Sequence, residues 1–143
     1  MKRRLFAAAS ADLAAPRLAL SIKQPWATLV VHGLKTIEVR TWPTRRTGWI
    51  HIHTGLGRET SPDAWARLPP ELVAAAALRG GLVGRVRLLG CKSYPAPEDF
   101  AADAHRHLVP AAWHSTRMHG FVLGEAQPLP FEPCPGALFF FTP

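Results

Sequence analysis

Lys35, Glu38, Arg40, Arg45 and Arg46 are concentrated in one short stretch, with Trp26 before it and Trp42 inside it. Cations interleaved with aromatic side chains are what a single-stranded nucleic acid needs: positive charge for phosphate and a π-surface for an unstacked base. An alternating polar strand face is also what plain solvation produces. Glu38 and Arg40 then make an ordinary surface pair, and tryptophan is more often core than platform.

These side chains are positioned by a strand, a short helix and two further strands. Leu18 to Ile22 is an apolar run long enough for one buried strand. Pro25 ends it and suits the first turn of a helix, where a missing N–H costs nothing. Trp26, Leu29, Val30 and Leu34 repeat at three and four, one apolar helical face, and Gly33 closes the helix. From Lys35 to Arg40 the pattern alternates, with Ile37 and Val39 on one face, Glu38 and Arg40 on the other, and Lys35 at the helix–strand junction. Trp49 to His53 is expected to form a second strand, antiparallel to the first.

The stretch Leu20-Ser21-Ile22-Lys23-Gln24-Pro25-Trp26-Ala27, followed by Gly33-Leu34-Lys35-Thr36-Ile37-Glu38-Val39-Arg40-Thr41-Trp42-Pro43-Thr44, resembles the signature of the ASCH domain. This activating-signal-cointegrator homology domain is a relative of the PUA RNA-binding fold. The shared patterns are S-x-x-Q-P-W-A and G-x-K-x-x-E-x-R-x-W-x-T. Gly48 to His53 resembles the family's next strand and Gly120 to Thr142 its closing strands, while Thr47 separates Arg46 from Gly48 where the family pattern has arginine and glycine adjacent. The resemblance implies an α+β fold, a small PUA-like β-barrel of about six strands with two or three peripheral helices. It also implies a cleft between the barrel and the first helix.

Carried over position by position, the resemblance points to Lys35, Glu38 and Arg40, with Trp26, Trp42 and Thr44 beside them, and the neighbouring cations Lys23, Arg45 and Arg46 complete the expected nucleic-acid-binding set. The implied partner is RNA or another single-stranded nucleic acid, with no cofactor and no metal. The alternative is a small hydrolase acting on RNA or a modified nucleoside, with Lys35 and Glu38 as the catalytic candidates. Acetylcytidine amidohydrolases of this fold carry a threonine three residues after the lysine. Here Glu38 stands in its place and the presumed nucleophile is gone, but a lysine–glutamate pair still suits acid–base work. A ribonuclease would use His51 or His53 near Lys35 and the RNA's own 2′-hydroxyl. Burial discriminates these classes, since a catalytic Lys35 lies in a closed pocket with a shifted pKa and a phosphate-binding one lies open.

Composition is consistent with both. The 143 residues suit one domain with a real core, and 17 basic against 10 acidic residues favour a polyanionic partner. Residues 1–16 read as a basic, flexible arm and 17–143 as the domain. Leu5 to Ala9 is too short for the apolar core of a signal peptide, and no run approaches the ~20 apolar residues of a membrane helix. Cys91 and Cys134 show no metal spacing and suit a reduced, cytoplasmic protein.

The rest of the chain reads as scaffold. Ser61 caps a short helix, Glu71 to Leu78 is helical by propensity, and Leu82 to Leu89 is a strand with Arg85 and Arg87 on one face. The resemblance places that strand in the barrel wall near the central cluster. Gly84 marks a bulge or a close backbone approach. A helix ends near His107, a strand from Gly120 runs into a proline-rich edge, and Leu138 to Phe141 is a final buried strand. The seven histidines are expected at the surface or against bases.

Overall fold

The computed structural model describes residues 17–143; the N-terminal arm expected at residues 1–16 lies outside them. Six strands make one sheet: β1 (Ala19–Ser21), β2 (Ile37–Arg40), β3 (Gly48–Thr54), β4 (Gly81–Ser93), β5 (His119–Pro133) and β6 (Phe140–Phe141), in the order β2-β5-β4-β3-β1-β6. The sheet curls into a half-barrel, in accord with an α+β, PUA-like architecture. Curling brings its two ends together: Arg40 on β2 donates from Nη1 to the Ser21 carbonyl oxygen on β1 at 3.3 Å. Trp42, just past β2, meets Phe140 of β6 edge-on at 5.4 Å.

Among the described residues, five short α-helices decorate the sheet, rather than two or three: α1 (Trp26–Val31), α2 (Pro62–Ala66), α3 (Val73–Ala76), α4 (Pro97–Ala102) and α5 (Ala104–His107). The expected helix over 71–78 is split into a 3₁₀ turn at Pro70–Leu72 and then α3. Asp103 likewise separates α4 from α5. Ser61 does cap α2, accepting from the Asp63 N–H at 3.3 Å.

Every residue of α1 is buried, and Leu29, Val30 and Val31 pack into the core beside Ile50, Val86 and Leu88. Gly84 is the close approach that its place in β4 foretells. A Cβ there would lie 2.5 Å from the Gln127 carbonyl oxygen and 2.8 Å from Val31, and the β4–β5 register shifts beside it. Only glycine lets α1 lie this tightly on the sheet.

Three expectations are corrected. β3 pairs with β1 in parallel, Ser21 opposite His53, and does not pair with β2. It is antiparallel to β4 instead, because the excursion carrying α1 and β2 lets the chain re-enter beside β1 in the same direction. The final strand is two residues long and half-buried, with Leu138 and Phe139 exposed, because it caps an open sheet edge. Arg85 and Arg87 stack on Trp49 at 4.1 and 4.8 Å and meet Gln127 and Glu125 of β5, rather than the charges of the central cluster. β5 pairs with β2 over His119–Val122, so Pro128 and Pro130 further along cost no bond to that strand.

Candidate nucleic-acid interface at the barrel seam

The seam where the sheet ends meet is a cleft of about 600 Å³. α1 contributes Trp26, β2 contributes Glu38 and Arg40, and the segment before β6 contributes Leu138 and Phe139. The helix-to-strand turn delivers Lys35. Gly33 adopts φ +77°, a conformation that costs a side-chain-bearing residue strain, and the chain folds back so that both the Leu34 and Lys35 N–H groups donate to the Leu29 carbonyl oxygen. Lys35 thereby points inward and is 1% exposed.

Three groups hold its ammonium. Nζ donates to the His107 carbonyl oxygen, lies 3.7 Å from Glu38 Oε1 and sits 4.7 Å above the Trp26 ring. Burial pushes the Lys35 pKa down to about 8, against the opposing pull of Glu38. Glu38 is itself buried. Its Oε1 accepts from the Val39 N–H at 3.2 Å and its Oε2 accepts from Arg40 Nη1 at 3.3 Å. One carboxylate thus ties two cations together on the cleft floor.

His107 has no access to this floor through its ring. It is fully buried, stacked on Phe100 at 4.0 Å, and its Nε2 donates to the Phe100 carbonyl oxygen while Nδ1 accepts from the Val109 N–H. Burial lowers its pKa. It acts on Lys35 only through its backbone oxygen.

Of the residues singled out in the sequence, Lys23, Trp26, Lys35, Glu38, Arg40 and Trp42 line the cleft. Thr44, Arg45 and Arg46 do not. Thr44 Oγ1 accepts from the Arg46 N–H, Arg45 and Arg46 are exposed, and Arg46 lies 5.6 Å over Phe140. Trp42 is less free than a stacking platform, being half-buried and met edge-on by Phe121, Phe139 and Phe140. His53 and His107 are buried, against the expectation of surface or base-contacting histidines, because each ring has hydrogen-bond partners at both nitrogens inside the fold. Sequence reasoning missed Val109, Trp113, Met118 and Phe139 in the lining. They come from a 3₁₀ turn and from segments flanking the regular elements, all far in sequence from the motif. Among the described residues, no cluster of three or more His, Cys, Asp or Glu is placed to hold a metal, and no helix is long and apolar enough to cross a membrane. Cys91 and Cys134 are free thiols.

The model of the ASCH domain matches residues 20–130. Among solved structures, the chain is similar to ASCH from Zymomonas mobilis, at 13% identity and TM-score 0.57, over 82% of this chain and 73% of that one. A tyrosine-to-phenylalanine mutant of that protein aligns at 14% identity and TM-score 0.55, over 83% and 76% of the two chains. A serine-to-alanine mutant aligns at 14% and 0.56, over 83% and 77%. No curated protein matches the chain.

Proposed function

The chain belongs to the ASCH domain family, and from that premise we propose that it binds single-stranded nucleic acid, RNA in preference, by drawing one unstacked nucleotide into the seam cleft. The observation that carries this reading is the pairing of aromatic walls with a charged floor. Trp26, Trp42, Trp113 and Phe139 surround Lys35, Glu38 and Arg40 in one cleft. Its volume of about 600 Å³ falls within the ~300–1,000 Å³ of sites for small organic groups. Aromatic walls suit a base face, and a floor of fixed donors and one carboxylate suits a base edge. The buried Lys35 is spent on that floor. Phosphates fall to the exposed Lys23, Arg45 and Arg46 at the rim. The free thiols suit the reducing cytoplasm as the place of action.

Rim contacts set the salt dependence. Three phosphates at about 0.7 each give a log–log slope near −2, or about 20-fold weaker binding from 50 to 200 mM salt. Replacing Lys23, Arg45 and Arg46 together with alanine flattens that slope. Salt-insensitive affinity, or none at low salt, would sink the reading.

A second reading is favoured by one observation. Lys35 is enclosed and its pKa is lowered to about 8, so it is partly neutral in mildly basic solution and stands beside a carboxylate. That is the signature of acid–base work on a bound RNA or modified nucleoside. Gel analysis of the RNA after binding separates the two: intact RNA leaves a binding module, and cleavage abolished by Lys35→Met moves the claim to a nuclease.

A further inference from the structure

Ser21 ends β1 at the point where two clefts meet. It lines the seam cleft and also the neighbouring hollow under the loop from Pro133 to Leu138. Its Oγ lies 3.0 Å from His53 Nδ1, and His53 Nε2 lies 2.9 Å from the Cys134 carbonyl oxygen. A carbonyl only accepts, so Nε2 carries the proton in the neutral ring. Nδ1 is therefore the acceptor, and the Ser21 hydroxyl donates to it. The ring is 1% exposed and closely seated: a Cβ on Gly136 would come within 2.5 Å of its Cε1, and Phe141 meets it edge-on at 5.5 Å. His53 lines the hollow beside Ser21 and presents Nδ1 to the Ser21 hydroxyl, where the two clefts meet.

We propose that Ser21 is a nucleophile activated by His53, and that the site hydrolyses a small carboxylic ester. A serine hydroxyl donating to a neutral imidazole whose far nitrogen is fixed by an acceptor is the arrangement that activates a weak nucleophile. Ile22, Gly55, Ala137 and Leu138 beside Ser21 make an apolar setting that suits an uncharged acyl group rather than a phosphate. Arg40 lines the same cleft and its Nη1 donates to the Ser21 carbonyl oxygen, so a guanidinium stands beside Ser21 as the charge suited to a developing oxyanion.

In the first step Ser21 Oγ bonds to the acyl carbon and its proton passes to His53 Nδ1. The bond from the acyl carbon to the alcohol oxygen breaks, and that oxygen takes the proton from Nδ1. In the second step a water molecule attacks the acyl–Ser21 ester and gives a proton to Nδ1. The acid leaves, and Ser21 Oγ recovers its proton from the ring. No oxidant, metal or co-reactant is needed to balance these steps.

The test needs no nucleic acid, so its failure leaves the binding reading standing, and loss of RNA binding leaves this one standing. Full-length protein is treated with an alkyl fluorophosphonate, whose P–F bond is replaced by a bond to an activated serine. The modified site is located by peptide mass mapping, and release of p-nitrophenol from p-nitrophenyl acetate is followed in parallel. The inference predicts an adduct on Ser21, none in Ser21→Ala, and ester hydrolysis at least about 100-fold slower in that variant. His53→Gln labels more slowly by a similar factor. Ser21→Ala removes one oxygen and keeps the fold, which a melting curve verifies, so the result stands even if His53→Gln unfolds. A protein that takes no adduct at Ser21, or hydrolyses the ester equally well as Ser21→Ala, overturns it: the pair is then a structural tie between β1 and β3.

Discussion

Lys35 Nζ lies 3.7 Å from Glu38 Oε1, and both side chains are almost wholly shielded from water. The pair spans the junction from α1 to β2, three residues apart, where the strand pleat and the Gly33 turn face them into one cleft. Arg40, two positions further along the same strand face, completes the group through Glu38 Oε2 at 3.3 Å.

Burying an ammonium has a pH signature. The Lys35 pKa falls from the ordinary 10.5 to about 8 in the fold. Between these values the unfolded chain binds more protons than the folded one, so stability rises with pH across that window. The shift corresponds to about 3 kcal/mol in full. Denaturant unfolding of wild type and Lys35→Met at pH 7.5, 8.5 and 9.5 checks it. The difference between the two proteins is expected to move in favour of wild type as pH rises, and parallel curves would show that Lys35 is not desolvated.

Two tryptophans at the cleft separate structural from binding roles. Trp42 is half-buried and meets three phenylalanines edge-on, so Trp42→Ala is expected to cost about 2–3 kcal/mol, below the ~3–5 of a fully buried aromatic. Trp113 sits on a 3₁₀ turn, is 36% exposed and also lines the cleft. Trp113→Ala is expected to change stability by less than about 1 kcal/mol while weakening RNA binding by roughly 5-fold or more, as expected for one lost stacking face. Thermal melts and binding titrations on both variants separate these effects.

Gly84 sets how closely α1 lies on the sheet. Gly84→Ala places a methyl 2.5 Å from a backbone oxygen that β-pairing holds in place. We expect a loss of about 2–3 kcal/mol of stability, measured by urea unfolding. Gly90, where a Cβ would meet nothing within 4 Å, is the control, and Gly90→Ala is expected to be near neutral.

Much of this arrangement was legible in the residues because it is local. Pro25, the three- and four-residue repeat from Trp26, Gly33 and the alternation from Ile37 to Arg40 each follow from backbone chemistry within a few positions. They suffice to place Lys35 at a junction with Glu38 and Arg40 on one face. What was not legible depends on contacts far apart in sequence. The parallel β1–β3 pairing follows from how the whole sheet curls, so the direction of β3 does not follow from the residues near it. His53 looked like a surface group because its partners, Ser21 and the Cys134 carbonyl, come from opposite ends of the domain. Gln24 reads as part of a motif, and its role emerges only in the fold. Its Oε1 accepts from Thr28 at the start of α1, and its Nε2 donates to the Leu78 carbonyl oxygen at 3.2 Å, tying α1 to the excursion that carries α3.

The most direct test of the central claim is fluorescence-polarisation binding of a labelled single-stranded RNA at 50 mM salt, for wild type and for Lys35→Ala/Arg40→Ala. The account predicts saturable binding by wild type and at least about 10-fold weaker binding by a folded double variant, since hydrogen bonds from charged groups on the cleft floor are lost. Equal affinity in the two proteins would contradict it, because the RNA would then be held by the basic surface alone, with the seam cleft empty.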